Sequence, residues 1–345
     1  MRRTVEQFYR CLRHDIRVRL NFGHNYFVLR KLRTQLKREA PERRLVAVML
    51  LEHLGDIVTC EPIVRYLRER EPNSVIIWGV KKAYRGLIDS NPHIDLTIVI
   101  HCLSERLMLS NSGLFDEVID LHFADRHCSL CRKPLSKDQD TSNINLTNYF
   151  QYGSLLSAMS QGAGLPALDD QPMVYVPEYA VRKVDSLKLP EEFVVINCTS
   201  NAPEKGWPAD KWIRLLAKIK ETVGLPIFEI GTETFLDTSL SLSQSLCGKL
   251  SIVESAEVIR MASLFIGIDS GPAHLANAVG TFGVILMGSY LGFEKYNPFS
   301  GGYRTGENAE IIYKSGSVAD ISVDQVLQAI EKASDRIRTG MSKVV

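Results

Sequence analysis

The chain has 345 residues, with 41 Lys and Arg against 40 Asp and Glu and 45% hydrophobic residues. This excludes a disordered, collagen-like or disulfide-stapled chain and suits two domains, each with its own core. No run of about 18 apolar residues predicts a membrane span, and seven cysteines without an apolar leader point to a reducing cytoplasm.

The net charge of +1 hides an asymmetry: residues 1–44 carry +9 and the remainder −8. The mildly acidic body gives no expectation of nucleic-acid binding. In the basic arm, Val5, Phe8, Leu12, Ile16 and Leu20 lie three or four apart, which predicts a helix with an apolar stripe. Asn21-Phe22-Gly23 is expected to interrupt it before a second stripe at Phe27, Leu29, Leu32 and Leu36, and Pro41 ends the region. Leu45 to Leu51 is a continuous apolar run, as in a central parallel strand covered on both faces. Strands at 74–80, 96–100 and 118–121 follow, with helices between them, so a doubly wound α/β sheet is expected. The charged stretch 123–144 breaks the rhythm, and a helix is expected over 145–164. Pro166, Pro172, Pro177 and Pro190 mark the domain boundary. A second alternation has strands at 193–198, 226–230, 264–268 and 283–287 and helices at 208–223, 272–279 and 323–338. The expected division is a basic helical extension over 1–43, a first α/β domain over 44–176 and a second over 177–345.

Three strand-to-loop junctions carry the chemistry. Asp269-Ser270-Gly271-Pro272-Ala273-His274 ends a buried strand and starts a helix, with Pro272 in the first turn. Helix-start N–H groups and the dipole behind them suit a phosphate, Gly271 would let backbone approach it, and Ser270 can donate a hydroxyl. An ordinary strand-to-helix turn fits equally well. Asn197-Cys198-Thr199-Ser200 opens a polar loop that contains Lys205, whose point charge could reach a diphosphate, although a bare lysine is usually only solvated. His53-Leu54-Gly55-Asp56 follows the first strand. Asp56 could take a proton from a hydroxyl nucleophile or simply cap a helix.

Together these segments resemble glycosyltransferase family 9, the ADP-heptose:lipopolysaccharide heptosyltransferases, over about residues 44–335. The resemblance rests on Leu54-Gly55-Asp56 with Pro62, Asn91-Pro92-His93-Ile94-Asp95, Pro203-Glu204-Lys205-Gly206-Trp207-Pro208 with Trp212, and Asp269-Ser270-Gly271-Pro272-Ala273-His274-Leu275-Ala276. It implies an α/β GT-B fold, two Rossmann-like domains facing across a cleft, and an inverting transfer with neither a catalytic metal nor an organic cofactor. It implies Asp56 as general base, Lys205 near the donor phosphates and Asp269 to His274 as the donor-binding turn, with Thr199 and Ser200 in the phosphate loop. Glu233 would meet the donor ribose, with Glu229 the second choice. ADP-heptose is the implied donor and a cell-envelope glycan or glycolipid the acceptor. The sequence departs from the family pattern at Glu52-His53, where many members have Ser-Ser, so His53 and Gly55 fall on the acceptor side. A nucleotide-sugar 2-epimerase and a non-catalytic sugar-nucleotide-binding scaffold are the alternatives.

Cys128 and Cys131 form a CxxC, with Cys102, His101, His122 and His127 in the same domain. Thiolates and imidazole suit structural zinc, but a second CxxC is missing, and a loop of free thiols is the plainer reading. Trp207 and Trp212 are read as packing residues. Residues 1–40 fit a helix pair lying on an anionic membrane surface, which would make a cytoplasmic enzyme peripheral at the inner leaflet. The same stripes would also fit packing onto the first domain.

Overall fold

The computed structural model describes residues 2–123, 128 and 143–338, with side chains from residue 5 to residue 337. In chain order, α1 (Arg2–Glu39) precedes β1 (Leu45–Met49), α2 (Leu54–Thr59) and α3 (Glu61–Arg70). Then come β2 (Val75–Val80), α4 (Arg85–Asp89), β3 (Leu96–Val99), α5 (Leu103–Ser110) and β4 (Glu117–Asp120). After α6 (Leu155–Gly162) and α7 (Glu178–Asp185) the chain runs through β5 (Val194–Asn197), α8 (Ala209–Thr222), β6 (Ile227–Glu229), β7 (Gln244–Ser245) and α9 (Ile252–Met261). It ends with β8 (Leu264–Ile268), α10 (Gly271–Ala278), β9 (Gly283–Met287), α11 (Gly302–Thr305), β10 (Ala309–Tyr313) and α12 (Val323–Arg338). No helix among the described residues is long and apolar enough to cross a membrane.

The chain divides into two compact units. The first comprises Met1–Glu52, Pro62–Tyr152 and Ser157–Leu168; the second comprises His53–Glu61, Gly153–Leu156 and Asp169–Val345. α2, which carries Asp56, therefore groups with the second unit.

The first unit holds a four-stranded parallel sheet in the order β3-β2-β1-β4. β1 is buried at every position because it has a strand on either side. Leu45, Ala47 and Met49 share one face of β1, as strand periodicity requires. They pack with Val75, Ile77 and Ile98 against Leu29 and Leu36 of α1. The expected break at Asn21-Phe22-Gly23 does not occur, and α1 is one helix of 38 residues. The polar residues dock the helix instead of ending it. Asn21 and Asn25 both donate to the Val99 carbonyl and to the Glu105 carboxylate, and Arg33 forks onto Asp116. In the amino-terminal half Val18 is buried, while Phe8 and Leu20 remain 65% and 71% exposed.

The second unit holds a six-stranded parallel sheet in the order β10-β9-β8-β5-β6-β7. α8 and α12 bury Trp212, Leu215, Leu216 and Ile219, and Val326, Ala329, Ile330 and Ala333, in one cluster with β5, β8 and β9. β8, β9 and α12 coincide with the expected elements. Short edge strand β7, and β10 with only Ala309 buried, lacked the apolar run that signals a strand. The helix expected over 145–164 is a single 3-10 turn and then α6, separated at Gly153, whose φ is +104°.

Candidate active site

Ligand-facing loops of a parallel sheet gather at the carboxyl ends of its strands. The register of β5 and β8, with Asn197 opposite Gly267, brings the loop after Asn197 beside Asp269 and Ser270. Ser270 donates its hydroxyl to Asn197 Oδ1 at 2.7 Å, and Asn197 Nδ2 donates to the Ile230 carbonyl at 3.0 Å, so the ends of β5, β6 and β8 are tied together. The Ser270 hydroxyl is thus engaged with Asn197.

Asp269 is the centre of the site. It is 4% exposed, and its Oδ2 accepts from Lys205 Nζ and from the Tyr296 hydroxyl, each at 2.6 Å. Burial opposes its ionisation, but the charges of Lys205 and His274 and the hydrogen bonds from Lys205 and Tyr296 outweigh that and hold its pKa below the ordinary value. Lys205 leaves the 3-10 turn Pro203–Lys205 and lies 3.8 Å from the Tyr290 ring centre, a cation–π contact. His274 sits one turn into α10. Its Nε2 is 3.9 Å from Asp269 Oδ1, its Nδ1 pairs with Thr59 Oγ1 at 2.8 Å, and Phe299 covers its ring at 4.7 Å. Burial drives its pKa down from 6.5 to about 4 even though Asp269 works the other way, so it is uncharged at neutral pH.

α2 packs directly on α10. A Cβ on Gly55 would lie 2.7 Å from the His274 ring, and one on Gly271 would lie 2.9 Å from Leu54. Gly271 is therefore required by helix packing, a reason the sequence reading missed. The N–H groups of Ala273 and His274 both donate to the Ser270 carbonyl, and Pro272 has none. This leaves the Gly271 N–H as the donor that the first turn can offer an anion. Asp56 stands at the third position of α2, where its Oδ2 accepts the His53 N–H at 2.8 Å. It secures the helix start from that position, not as the N-cap, which is His53. The carboxylate is 20% exposed and the His53 ring 59% exposed.

Glu233 lies in the exposed loop after β6. The buried Glu229 organises that loop by accepting the Phe235 N–H at 2.8 Å, and burial raises its pKa. Ser200 is engaged locally, its hydroxyl donating to the Ala202 carbonyl, and Thr199 is half-buried beside it. Trp207 and Trp212 are buried edge-to-face at 5.1 Å and serve as packing. Sequence reasoning missed Tyr290, Tyr296, Thr59 and Phe299. The aromatic run Tyr290, Phe293, Tyr296 and Phe299 just past β9 was the available signal.

Residues 154–289 match the model of glycosyltransferase family 9 (heptosyltransferase). The chain resembles that family, as its motifs imply. The matched stretch contains Lys205, Glu233 and Asp269 to His274 but not Asp56, Tyr290 or Tyr296. Lipopolysaccharide heptosyltransferase 3 of Escherichia coli (strain K12) is 28% identical over 117 residues, 31% of this chain. The alignment spans about a third of that relative's length, 34%. Among solved structures, a family 9 glycosyl transferase from Veillonella parvula is similar with a TM-score of 0.65 at 19% identity, covering 84% of this chain and 97% of that one. The E. coli ADP-heptose lps heptosyltransferase II gives 0.60 at 16% identity, covering 86% and 99%. Likeness at such identities is one of fold, and the α/β fold, with its two parallel sheets, is GT-B.

Proposed function

We propose that this family 9-like protein is an inverting, metal-independent glycosyltransferase that moves heptose from ADP-heptose to a hydroxyl of a cell-envelope glycan such as the lipopolysaccharide core. The observation that carries this reading is the pairing of part-buried Lys205 with buried Asp269 beside the start of α10. The donor diphosphate would meet the Lys205 ammonium and the Gly271 N–H, with Thr199 and Ser200 flanking it and Glu233 toward the ribose. As the bond from the anomeric carbon to the diphosphate breaks, negative charge grows on the leaving group, and fixed positive groups lower the barrier there. Asp56 takes the proton of the acceptor hydroxyl as its oxygen attacks the opposite face of the sugar, which inverts the anomeric centre. His53 and Gly55 lie on the acceptor side. The names of the E. coli relatives support heptose and ADP-heptose as sugar and donor.

The decisive experiment incubates the protein with ADP-heptose with and without an envelope acceptor extract and measures ADP release. Release only with acceptor is expected. Release of no ADP, or conversion of the sugar without acceptor, overturns the assignment.

The arm supports a peripheral position on an anionic cytoplasmic leaflet. Phe8, Leu12, Ile16 and Leu20 are exposed, and a groove lined by Ile16 and Leu20 is flanked by Arg13 and Arg17. Sedimentation with anionic liposomes that falls as salt rises, and that is lost when the exposed Phe8, Leu12, Ile16 and Leu20 are together replaced by Ser, is the expected result.

A further inference from the structure

One cluster in the first unit plays no part in the transfer chemistry. His14 comes from α1, Cys102 is the residue before α5, and Cys128 follows β4 by eight residues. Topology brings them together from positions 114 residues apart, and their ligand atoms all lie within 4.8 Å of one another. His14 Nε2 and Cys128 Sγ are 3.7 Å apart. Zinc–sulfur bonds of about 2.3 Å and zinc–nitrogen bonds of about 2.0–2.1 Å at tetrahedral angles place neighbouring ligand atoms roughly 3.6–3.8 Å apart. Neither sulfur is in a disulfide. Both cysteines are buried, packed with Val18 and against Leu103 and Met108, so the two thiols sit in an apolar shell. Two soft sulfurs and an imidazole form a donor set for a borderline-soft divalent metal, and they are a poor set for magnesium or calcium.

We propose that His14, Cys102 and Cys128 bind one zinc ion that staples α1 to the first unit. Cys131 lies outside the described residues and is not among the ligands proposed. The role follows from where the ligands sit. α1 is held by Asn21, Asn25, Leu29 and Arg33 in its carboxyl-terminal part, whereas Phe8 and Leu12 nearer its start are exposed. His14 would place a metal anchor one turn beyond the last buried apolar residue, Val18. The bonds formed are two thiolate–zinc bonds and one imidazole–zinc bond; the hydrated ion sheds its other waters and keeps one as the fourth ligand, and the two thiol protons are released to solvent.

The test uses the full chain. Metal content is measured by mass spectrometry after purification without chelator. The chelated, reduced protein is then titrated with cobalt(II) and with zinc(II). One metal per chain and a thiolate-to-cobalt charge-transfer band are expected. His14→Ala, Cys102→Ser and Cys128→Ser should each weaken zinc binding at least about tenfold, whereas Cys247→Ser should leave it unchanged. Because a ligand variant can misfold, the wild-type chain supplies a second readout. Zinc should protect Cys102 and Cys128 from alkylation, and chelation should expose them and speed tryptic cleavage at Arg10 and Arg13. The proposal is overturned if cobalt gives no charge-transfer band, if zinc leaves alkylation of both cysteines unchanged, or if the metal-free protein carries a Cys102–Cys128 disulfide instead.

Discussion

At the end of β4, Asp120 holds Arg106 and His122; just past β8, Asp269 holds Lys205 and His274. Each trio is a carboxylate, buried at Asp269 and part-buried at Asp120, with a cation and a histidine at the carboxyl end of a parallel strand, yet the two are built for different work. Arg106 Nη1 lies 2.5 Å from Asp120, and its side chain is 4% exposed. His122 reaches Asp120 at 2.7 Å through Nδ1, and its Nε2 accepts the Leu51 N–H at 2.9 Å, so its proton is fixed on the Asp120 side. That trio is locked to the backbone of β1's end and acts as a strut. In the second unit the cation is a lysine, a point charge on a flexible stem, 17% exposed and lying on the face of Tyr290. Its histidine faces Thr59 of α2. An anion arriving beside Lys205 can share its charge without dismantling the fold, whereas the Arg106 side chain, 4% exposed, is out of an arriving anion's reach.

The largest effect tests whether the second end is the reacting one. Asp56→Asn keeps an oxygen that can accept the His53 N–H, so the start of α2 survives. Turnover should nevertheless fall by about 10²–10⁴-fold, the usual share of a general base, while ADP affinity measured by calorimetry stays near wild type. Near-normal turnover would reduce Asp56 to a helix-start residue.

The next comparison sets Lys205→Ala against Arg106→Ala. Removing either cation takes the charge partner from a carboxylate that keeps its hydrogen bond to Tyr296 or to His122, and in urea titration Lys205→Ala should lose about 3 kcal/mol and Arg106→Ala less, because Asp269 is buried and Asp120 only partly so. The two should part on ligand binding: only Lys205→Ala should also weaken ADP binding. Adding Asp269→Asn to Lys205→Ala should return part of the stability and none of the affinity. Equal ADP binding by wild type and Lys205→Ala would remove the distinction between the two ends.

His274 sharpens the contrast through pH. An unfolded histidine takes its proton near 6.5 and the folded one near 4, so between these values the unfolded chain binds more protons. Stability is full above about pH 6.5 and is lost as pH falls toward 4, by roughly 3 kcal/mol for this group. His274→Gln should flatten that part of the stability profile. Asp269, whose pKa is lowered, adds a separate loss at lower pH that the variant keeps. An unchanged profile would mean that the folded His274 takes its proton near the same pH as the unfolded one.

Much of this was legible in the sequence, for definite reasons. Buried strands such as β1, β8 and β9 are unbroken apolar runs, and α12 keeps a strict helical period. Lys205 and Asp269 stand in motifs, and the structure brings them into contact. What escaped depends on tertiary partners. Asn21-Phe22-Gly23 looks like a break because local rules favour turns there, but β3 and α5 supply acceptors for Asn21 and Asn25 and the helix runs on. The packing duty of Gly271 escaped because nothing in the sequence says that Leu54 lies against it. Tyr296 was missed because a tyrosine 27 residues past Asp269 carries no mark of the hydrogen bond it makes.

Tyr296→Phe gives the smallest effect and the finest test. The phenol donates to the same Asp269 oxygen that Lys205 contacts, so its loss leaves that oxygen with a partner. A hydrogen bond to a charged group contributes about 1.5–3 kcal/mol, and the lower end, about 1.5 kcal/mol, is expected in urea unfolding. If Asp269 positions Lys205 for the donor, loosening Asp269 should also raise the ADP dissociation constant by a few-fold, about tenfold at most for that energy. His122→Phe, which removes the corresponding donor from Asp120, should cost stability with no change in ADP affinity. A Tyr296→Phe protein that loses stability but binds ADP as before would make Asp269 a strut like Asp120 and erase the functional difference between the two ends.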